Sequence, residues 1–154
     1  MKFSAREDIE VPVAGVWAVL TDYEGFERAA LRRGAEVQRK DVGGAPTWAA
    51  AFVFRGKRRS MTIRQDRAEA PGVLAFSGES RQVEGTLVIE LLELGPRRTR
   101  MTITTEVRPL SLAARLFLQS LKLARGRLIK RYQTRVAQLA TMIEARARGQ
   151  KAGF

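Results

Sequence analysis

Between residues 35 and 109, apolar and polar side chains alternate with a period of two. The alternation is broken at Gly43-Gly44, Gly56, Pro71-Gly72, Gly78 and Gly95-Pro96. A period of two marks a strand with one buried face, and glycine or proline pairs mark the turns between such strands. The pattern predicts strands near 35–42, 47–55, 58–69, 73–80, 82–94 and 97–108. Their connections are too short for parallel crossovers, so the strands are antiparallel neighbours. Residues 2–11 alternate in the same way, with Phe3, Ala5, Ile9 and Val11 on one side, and add a further strand that Pro12 stops.

What surrounds this sheet is helical. Val13, Val16, Trp17 and Leu20 have helical spacing over 13–21. Asp22 is placed to cap a second short helix over roughly 23–33. Pro109 ends the last strand, and residues 110–147 contain no proline and one glycine, Gly126. That predicts a helix of about ten turns. Its apolar stripe runs through Leu110, Ala113, Phe117, Leu121, Ala124 and Leu128. Beyond Gly126 it rotates to Ile129, Tyr132, Val136, Leu139 and Ile143. A bend near Gly126, with the two halves covering different surfaces, is the expected consequence.

The fold class is therefore α+β: a seven-stranded antiparallel sheet, two short helices after the first strand, and a long C-terminal helix. The 154 residues suffice for one domain. We expect it to span 1–148, with 149–154 as a frayed tail. One face of the sheet must be hidden, and only the terminal helix is long enough to hide it. A curved sheet around a helix need not close tightly, and the gap is a potential apolar cavity.

The opening FSAREDIEVPVAGVWAVLTDYEGFERAALRRGAEVQR, with its strand ending Ile9-Glu10-Val11-Pro12 and then Val16-Trp17, Leu20 and Asp22, resembles the START-related (SRPBCC) superfamily. The likeness is to its polyketide cyclase/dehydrase and lipid-transport branch, and the order of elements extends it over nearly the whole chain. The resemblance implies a helix-grip fold with a hydrophobic tunnel between sheet and helix. It also implies binding of lipids, sterols, quinones, polyketides or plant hormones, with a minority of members acting as cyclases or hydrolases. No shared catalytic signature exists to transfer, so no catalytic residue is assigned.

Candidate ligand contacts follow from the inward faces. Phe52, Phe54, Phe76, Leu87, Ile89, Met101 and Ile103 come from the strands, and Leu116, Phe117, Ser120, Leu121 and Ala124 from the helix. They either line a cavity or fill a core, where burial is worth about 25 cal/mol per Å². The small residues Ala49, Ala50, Ala51, Ala75, Gly78 and Gly85 favour unfilled volume. Trp48 either stacks on a ligand ring or packs edge-on in the sheet. Glu7, between Ala5 and Ile9 on the inward face, either anchors a polar ligand group or forms an ion pair with Arg59 or Arg67.

Cysteine and histidine are both absent. Thiolate metal sites, thiol nucleophiles and the commonest general base are excluded, which leaves carboxylate, tyrosine or arginine for any catalysis. Gly43-Gly44 is followed by no Walker-type Lys, and no acidic run has calcium-loop spacing. Neither metal nor cofactor is expected. Arg6, Glu7, Asp8 and Glu10 precede the first apolar run, unlike a secretory leader, which points to the cytoplasm.

The 28 basic and 16 acidic residues give +12, of which +9 falls in residues 110–154, where Glu144 is the one acid. That asymmetry is either a solvated helix face or a contact surface for an anionic membrane or nucleic acid. The run Arg55-Gly56-Lys57-Arg58-Arg59 lacks interleaved aromatics, and nucleic acid is disfavoured as a partner. The expected partner is a hydrophobic small molecule, held by a carrier or sensor. The alternatives are a cyclase- or dehydratase-type enzyme on a similar ligand and a basic interaction module. Oligomeric state is not encoded in these patterns.

Overall fold

The computed structural model describes residues 1–149. The expected tail beyond Gly149 lies outside the described residues. Strand β1 (Lys2–Ile9) leads into helices α1 (Val13–Leu20) and α2 (Tyr23–Arg32). Six strands follow: β2 (Glu36–Val42), β3 (Ala45–Phe54), β4 (Lys57–Glu69), β5 (Val73–Glu79), β6 (Val83–Gly95) and β7 (Arg98–Pro109). The described residues continue with α3 (Leu112–Leu121), one 3₁₀ turn (Lys122–Ala124) and α4 (Arg125–Ala147).

All seven strands form one antiparallel sheet in the order β1-β7-β6-β5-β4-β3-β2. Strands β2 to β7 are successive hairpins, and β1 returns to pair with β7, with Ala5 opposite Ile103. Register shifts at Gln65/Arg67 in β4 and Glu93/Gly95 in β6 are bulges, which bend a strand and increase its twist. They help curve the sheet around its apolar face.

Local chemistry fixes the entry into the helices. The Pro12 carbonyl accepts the first amides of α1, from Gly15 and Val16. The buried Thr99 hydroxyl donates to the Val11 carbonyl at 2.8 Å, which ties the strand-to-helix corner to β7. The Asp22 carboxylate caps α2 by accepting from the Gly25 amide at 3.2 Å. It also accepts from the Arg146 guanidinium at 3.1 Å, joining α2 to the end of α4.

The core sits between α4, α1 and the β1–β7–β6 side of the sheet. Ile9, Val16, Met101 and Ile143 are fully buried in it, with Val136, Ala140 and Met142 packed around them. The expected single helix over 110–147 is interrupted: the break falls at Lys122–Ala124, just before Gly126. Helix α4 packs on β1 and α1, whereas α3 packs on β7. The two halves therefore cover different surfaces, and packing, which outweighs uniform helix propensity, sets where the axis breaks. Only Ala114 of α3 is buried. The grip belongs to α4.

Candidate functional site

A cavity of about 490 Å³ lies between the inward face of β3–β7 and the α1, α2 and α4 helices. Met61 and Ile63 of β4, Phe76 of β5, Leu87 and Ile89 of β6, and Ile103 and Val107 of β7 supply the sheet wall. Leu20 of α1, Tyr23 and Phe26 of α2, and Leu139 of α4 supply the rest, with Trp48 at the β3 side. The volume falls in the range of small-molecule sites, about 300–1,000 Å³.

The space exists because side chains are missing from the middle of the wall. Gly78 of β5 and Gly85 of β6 are direct cross-strand partners, and both border the cavity. At that point bare backbone separates the cavity from the outer face. The glycines serve different ends. A Cβ at Gly78 would stand 3.4 Å from the Met61 sulfur, an ordinary contact. A Cβ at Gly85 would stand 2.9 Å from the Glu106 carbonyl oxygen, so that position tolerates no side chain without backbone movement.

Polar groups gather at two places along the wall. At the α2 side, the Tyr23 hydroxyl donates to Gln65 Oε1 at 2.9 Å, and Gln65 is buried. The Trp48 indole N–H donates to Glu27 Oε2 at 2.8 Å, and the same oxygen pairs with Arg39 Nε at 3.3 Å. Tyr23 meets Trp48 edge-on with ring centroids 5.3 Å apart. Burial raises the Tyr23 pKa above its ordinary value, opposed by the nearby Arg39 guanidinium, so the phenol remains a neutral donor. At the β7 side, the Thr105 hydroxyl lies 2.9 Å from the Tyr132 hydroxyl. Tyr132 in turn donates to the Ile103 carbonyl at 3.1 Å. Tyr132 also stacks on Phe3 at 5.4 Å, a structural arrangement that fixes α4 against β1 and β7.

Of the residues singled out from sequence, the fold brings Trp48, Phe76, Leu87, Ile89 and Ile103 together around the cavity. The other candidate ligand contacts lie outside its lining, whereas Gly78 and Gly85, read as leaving volume unfilled, border it. Met101 is fully buried in the core under α4. Phe52 and Phe54 run out towards the tip of the β3–β4 hairpin, where Phe54 is exposed. Leu116, Phe117, Ser120 and Leu121 sit on α3 and Ala124 in the 3₁₀ turn, because α4 and not α3 closes the cavity. Leu116 faces solvent, Phe117 packs under the Arg55 guanidinium at 4.4 Å, and the Ser120 hydroxyl bonds the Phe117 carbonyl.

Glu7 pairs in register with Met101 on the α4 side of the sheet, outside the cavity lining. The expected ion pair with Arg59 or Arg67 is ruled out by strand order, since β7, β6 and β5 separate β1 from β4. Arg67 bonds Glu69 instead, and Arg59 donates to the Phe54 carbonyl. Sequence reasoning missed Leu20, Tyr23, Phe26, Met61, Ile63, Val107 and Leu139 as lining residues. Met61, Ile63 and Val107 share the inward parity of their strands, and the available signal is the register that sets Ile63 opposite Gly78 and Val107 opposite Gly85. No pattern within the chain shows that α2 leans over the sheet.

Comparisons with known proteins agree with this architecture. A family model described as polyketide cyclase/dehydrase and lipid transport matches residues 1–144. The ZhuI aromatase/cyclase from a Streptomyces species superposes with a TM-score of 0.65 at 16% identity, covering 95% of this chain and 94% of that one. A Thermus thermophilus protein reaches 0.68 at 18% identity, covering 94% and 98%. Norcoclaurine synthase from Thalictrum flavum, in complex with dopamine and hydroxybenzaldehyde, reaches 0.66 at 13% identity, covering 99% and 88%. At these identities the likeness establishes the fold. No curated protein sequence matches the chain.

Proposed function

This chain belongs to the polyketide cyclase/dehydrase and lipid transport family, and on that premise we propose that it binds a hydrophobic small molecule between the sheet and α4. The observation that carries the reading is the apolar cavity of about 490 Å³ kept open by the Gly78–Gly85 pair. Affinity comes from apolar area removed from water, and orientation from the few hydroxyls on the wall, Tyr23 and Thr105 above all. A flat aromatic or lipid-like guest with one polar end matches that distribution. Native mass spectrometry of the purified protein, with organic extraction of what it carries, tests the reading. A recurrent apolar molecule displaced by a hydrophobic fluorescent probe is the expected result. Protein that carries nothing and takes up no probe overturns it.

A second reading, ring closure or dehydration of a bound polyketide-like substrate, is favoured by one observation. Tyr23 is a neutral, partly buried phenol at the cavity wall, a group able to donate a proton or polarise a carbonyl at neutral pH. The aromatase/cyclase and norcoclaurine synthase names among the structural neighbours support it at the level of fold only. The readings separate on Tyr23→Phe: a carrier keeps its ligand, whereas an enzyme keeps its ligand and loses turnover.

A further inference from the structure

We propose that α3, together with the tip of the β3–β4 hairpin, is a docking surface for an anionic phospholipid bilayer. The proposal goes beyond the ligand reading and does not depend on it.

Helix α3 is apolar on two sides. Its inner side places Ala114 against β7 and Phe117 against Arg55. Its outer side carries Leu112 and Leu116 at 71% and 58% exposure, and the 3₁₀ turn adds Leu123 at 93%. Spacings of four and seven residues keep the three leucines on one side of the helix. A water-soluble helix with a covered inner face ordinarily presents a polar outer one. At the neighbouring hairpin tip Val53 and Phe54 are also exposed, and the Arg55–Phe117 contact joins the tip to α3.

The charge around these apolar groups is predominantly positive. Arg115, Lys122, Arg125 and Arg127 flank the leucines, and no acid occurs between Leu110 and Glu144. The hairpin tip contributes Arg55, Lys57 and Arg59, whereas Arg58 is paired with Glu36 at 2.8 Å. Protruding leucines ringed by cations fit a fluid, negatively charged interface, which accepts apolar knobs with no shape match and attracts each cation. The alternatives fit less well. A second copy would bring two strongly cationic faces together in a chain of charge +12. Nucleic acid would use the cations and leave the leucines in water.

The surface is also contiguous with the cavity end. Val83 and Val107 line the cavity, and Val83 pairs with Pro109, three residues before Leu112. The Leu110 amide and the Ser111 side chain both bond Gln82 in the β5–β6 turn, which holds the start of α3 at that end. A bilayer engaged by α3 therefore lies next to the glycine-walled part of the cavity.

The test is co-sedimentation of the full chain with vesicles of phosphatidylcholine alone and of phosphatidylcholine mixed with phosphatidylglycerol. Binding to the mixed vesicles, weakened by salt, and little binding to the neutral ones is expected. Leu112→Ser/Leu116→Ser/Leu123→Ser weakens it by more than about tenfold, since each leucine loses its transfer from water. Arg115→Gln/Lys122→Gln/Arg125→Gln weakens it about fivefold for each charge removed. All six positions are exposed, and an unchanged melting temperature checks folding in each variant. Retained uptake of an apolar probe by both variants separates this surface from the cavity. Any of three vesicle results overturns the proposal: no binding to mixed vesicles, equal binding to neutral ones, or binding that the serine variant keeps. A dimer that the serine variant dissolves also overturns it, and assigns the stripe to a second copy.

Discussion

Replacing Gly78 by valine measures the cavity directly. The position is in regular strand on the cavity wall, and a Cβ there meets the Met61 sulfur at 3.4 Å and Ile63 Cγ1 at 3.9 Å. Valine adds three carbons to space that is now open. At about 0.8 kcal/mol for each buried carbon the upper limit is about 2.4 kcal/mol. Relief of the glycine's backbone entropy adds about 0.5–1 kcal/mol. Against this, the valine methyls reach beyond the Cβ and turn the flexible Met61 side chain off its rotamer, at about 0.5–1.5 kcal/mol, and the new methyls face partly empty space and forgo much of their contact energy. A net stabilisation of about 1.5 kcal/mol follows, or a rise of about 3–6 °C in Tm for a chain of this size. Calorimetry reads that shift. Titration with an environment-sensitive apolar fluorophore reads the other half: the added side chain takes part of the guest's volume and weakens uptake at least about fivefold, roughly 1 kcal/mol. Unchanged fluorophore affinity would refute the reasoning, because the guest would then reside elsewhere. A lowered Tm would refute it as well, because the space beside Met61 would already be full.

Three other outcomes follow from the same geometry. Gly85→Ala places a methyl against the Glu106 carbonyl oxygen and is destabilising by about 1–3 kcal/mol, seen as a lower midpoint in urea; a midpoint equal to that of the parent contradicts the close approach. Tyr23→Phe removes the donor to the buried Gln65 oxygen and costs about 1–2 kcal/mol. In the parent, ultraviolet titration finds Tyr23 ionising above the ordinary 10.0, a component absent from the variant. A hydrogen bond from Arg100, assisted by the charges of Arg98 and Arg6, holds Asp8 below its ordinary 3.8. The stabilisation is therefore present above 3.8 and lost as pH falls through the lower folded value. Asp8→Asn lowers Tm at pH 7, and the difference from the parent shrinks towards zero in strong acid; a difference independent of pH rejects the Asp8–Arg100 pairing.

The strands were readable from sequence because alternation is a local property. Once Phe76, Leu87, Ile89 and Ile103 share a parity with their neighbours, a hydrogen-bonded sheet has no other way to face them. The short helices were readable for the same reason, from the Pro12 stop and the Asp22 cap. The site was only partly readable. Five of the sequence-derived candidates border the cavity because they lie in the central strands, whereas the α3 residues do not. The apolar spacing of residues 110–124 is as regular as that of a core helix, and nothing local distinguishes a stripe that meets a sheet from one that meets solvent. Leu112, Leu116 and Leu123 show the limit: their exposure is set by the direction in which the chain leaves β7. The place of Tyr23 is not legible for a similar reason, since its position over the wall depends on α2 packing near β2. Glu7 failed on topology, because pairing β1 with β7 places it at the far edge from β4.

That pairing also orders events while the chain is being made. Lys2 lies opposite Glu106, and the N-terminal amine bonds the Val107 carbonyl, so the first strand waits for residues some hundred positions downstream. At translation rates of about 5–20 residues per second the wait is about 5–20 s. Over that interval Ile9 and Val16, both fully buried in the folded protein, have neither β7 nor α4 to cover them. Until β7 is made, β1 therefore keeps its apolar side uncovered, a condition that favours chaperone binding or strand exchange with another growing chain.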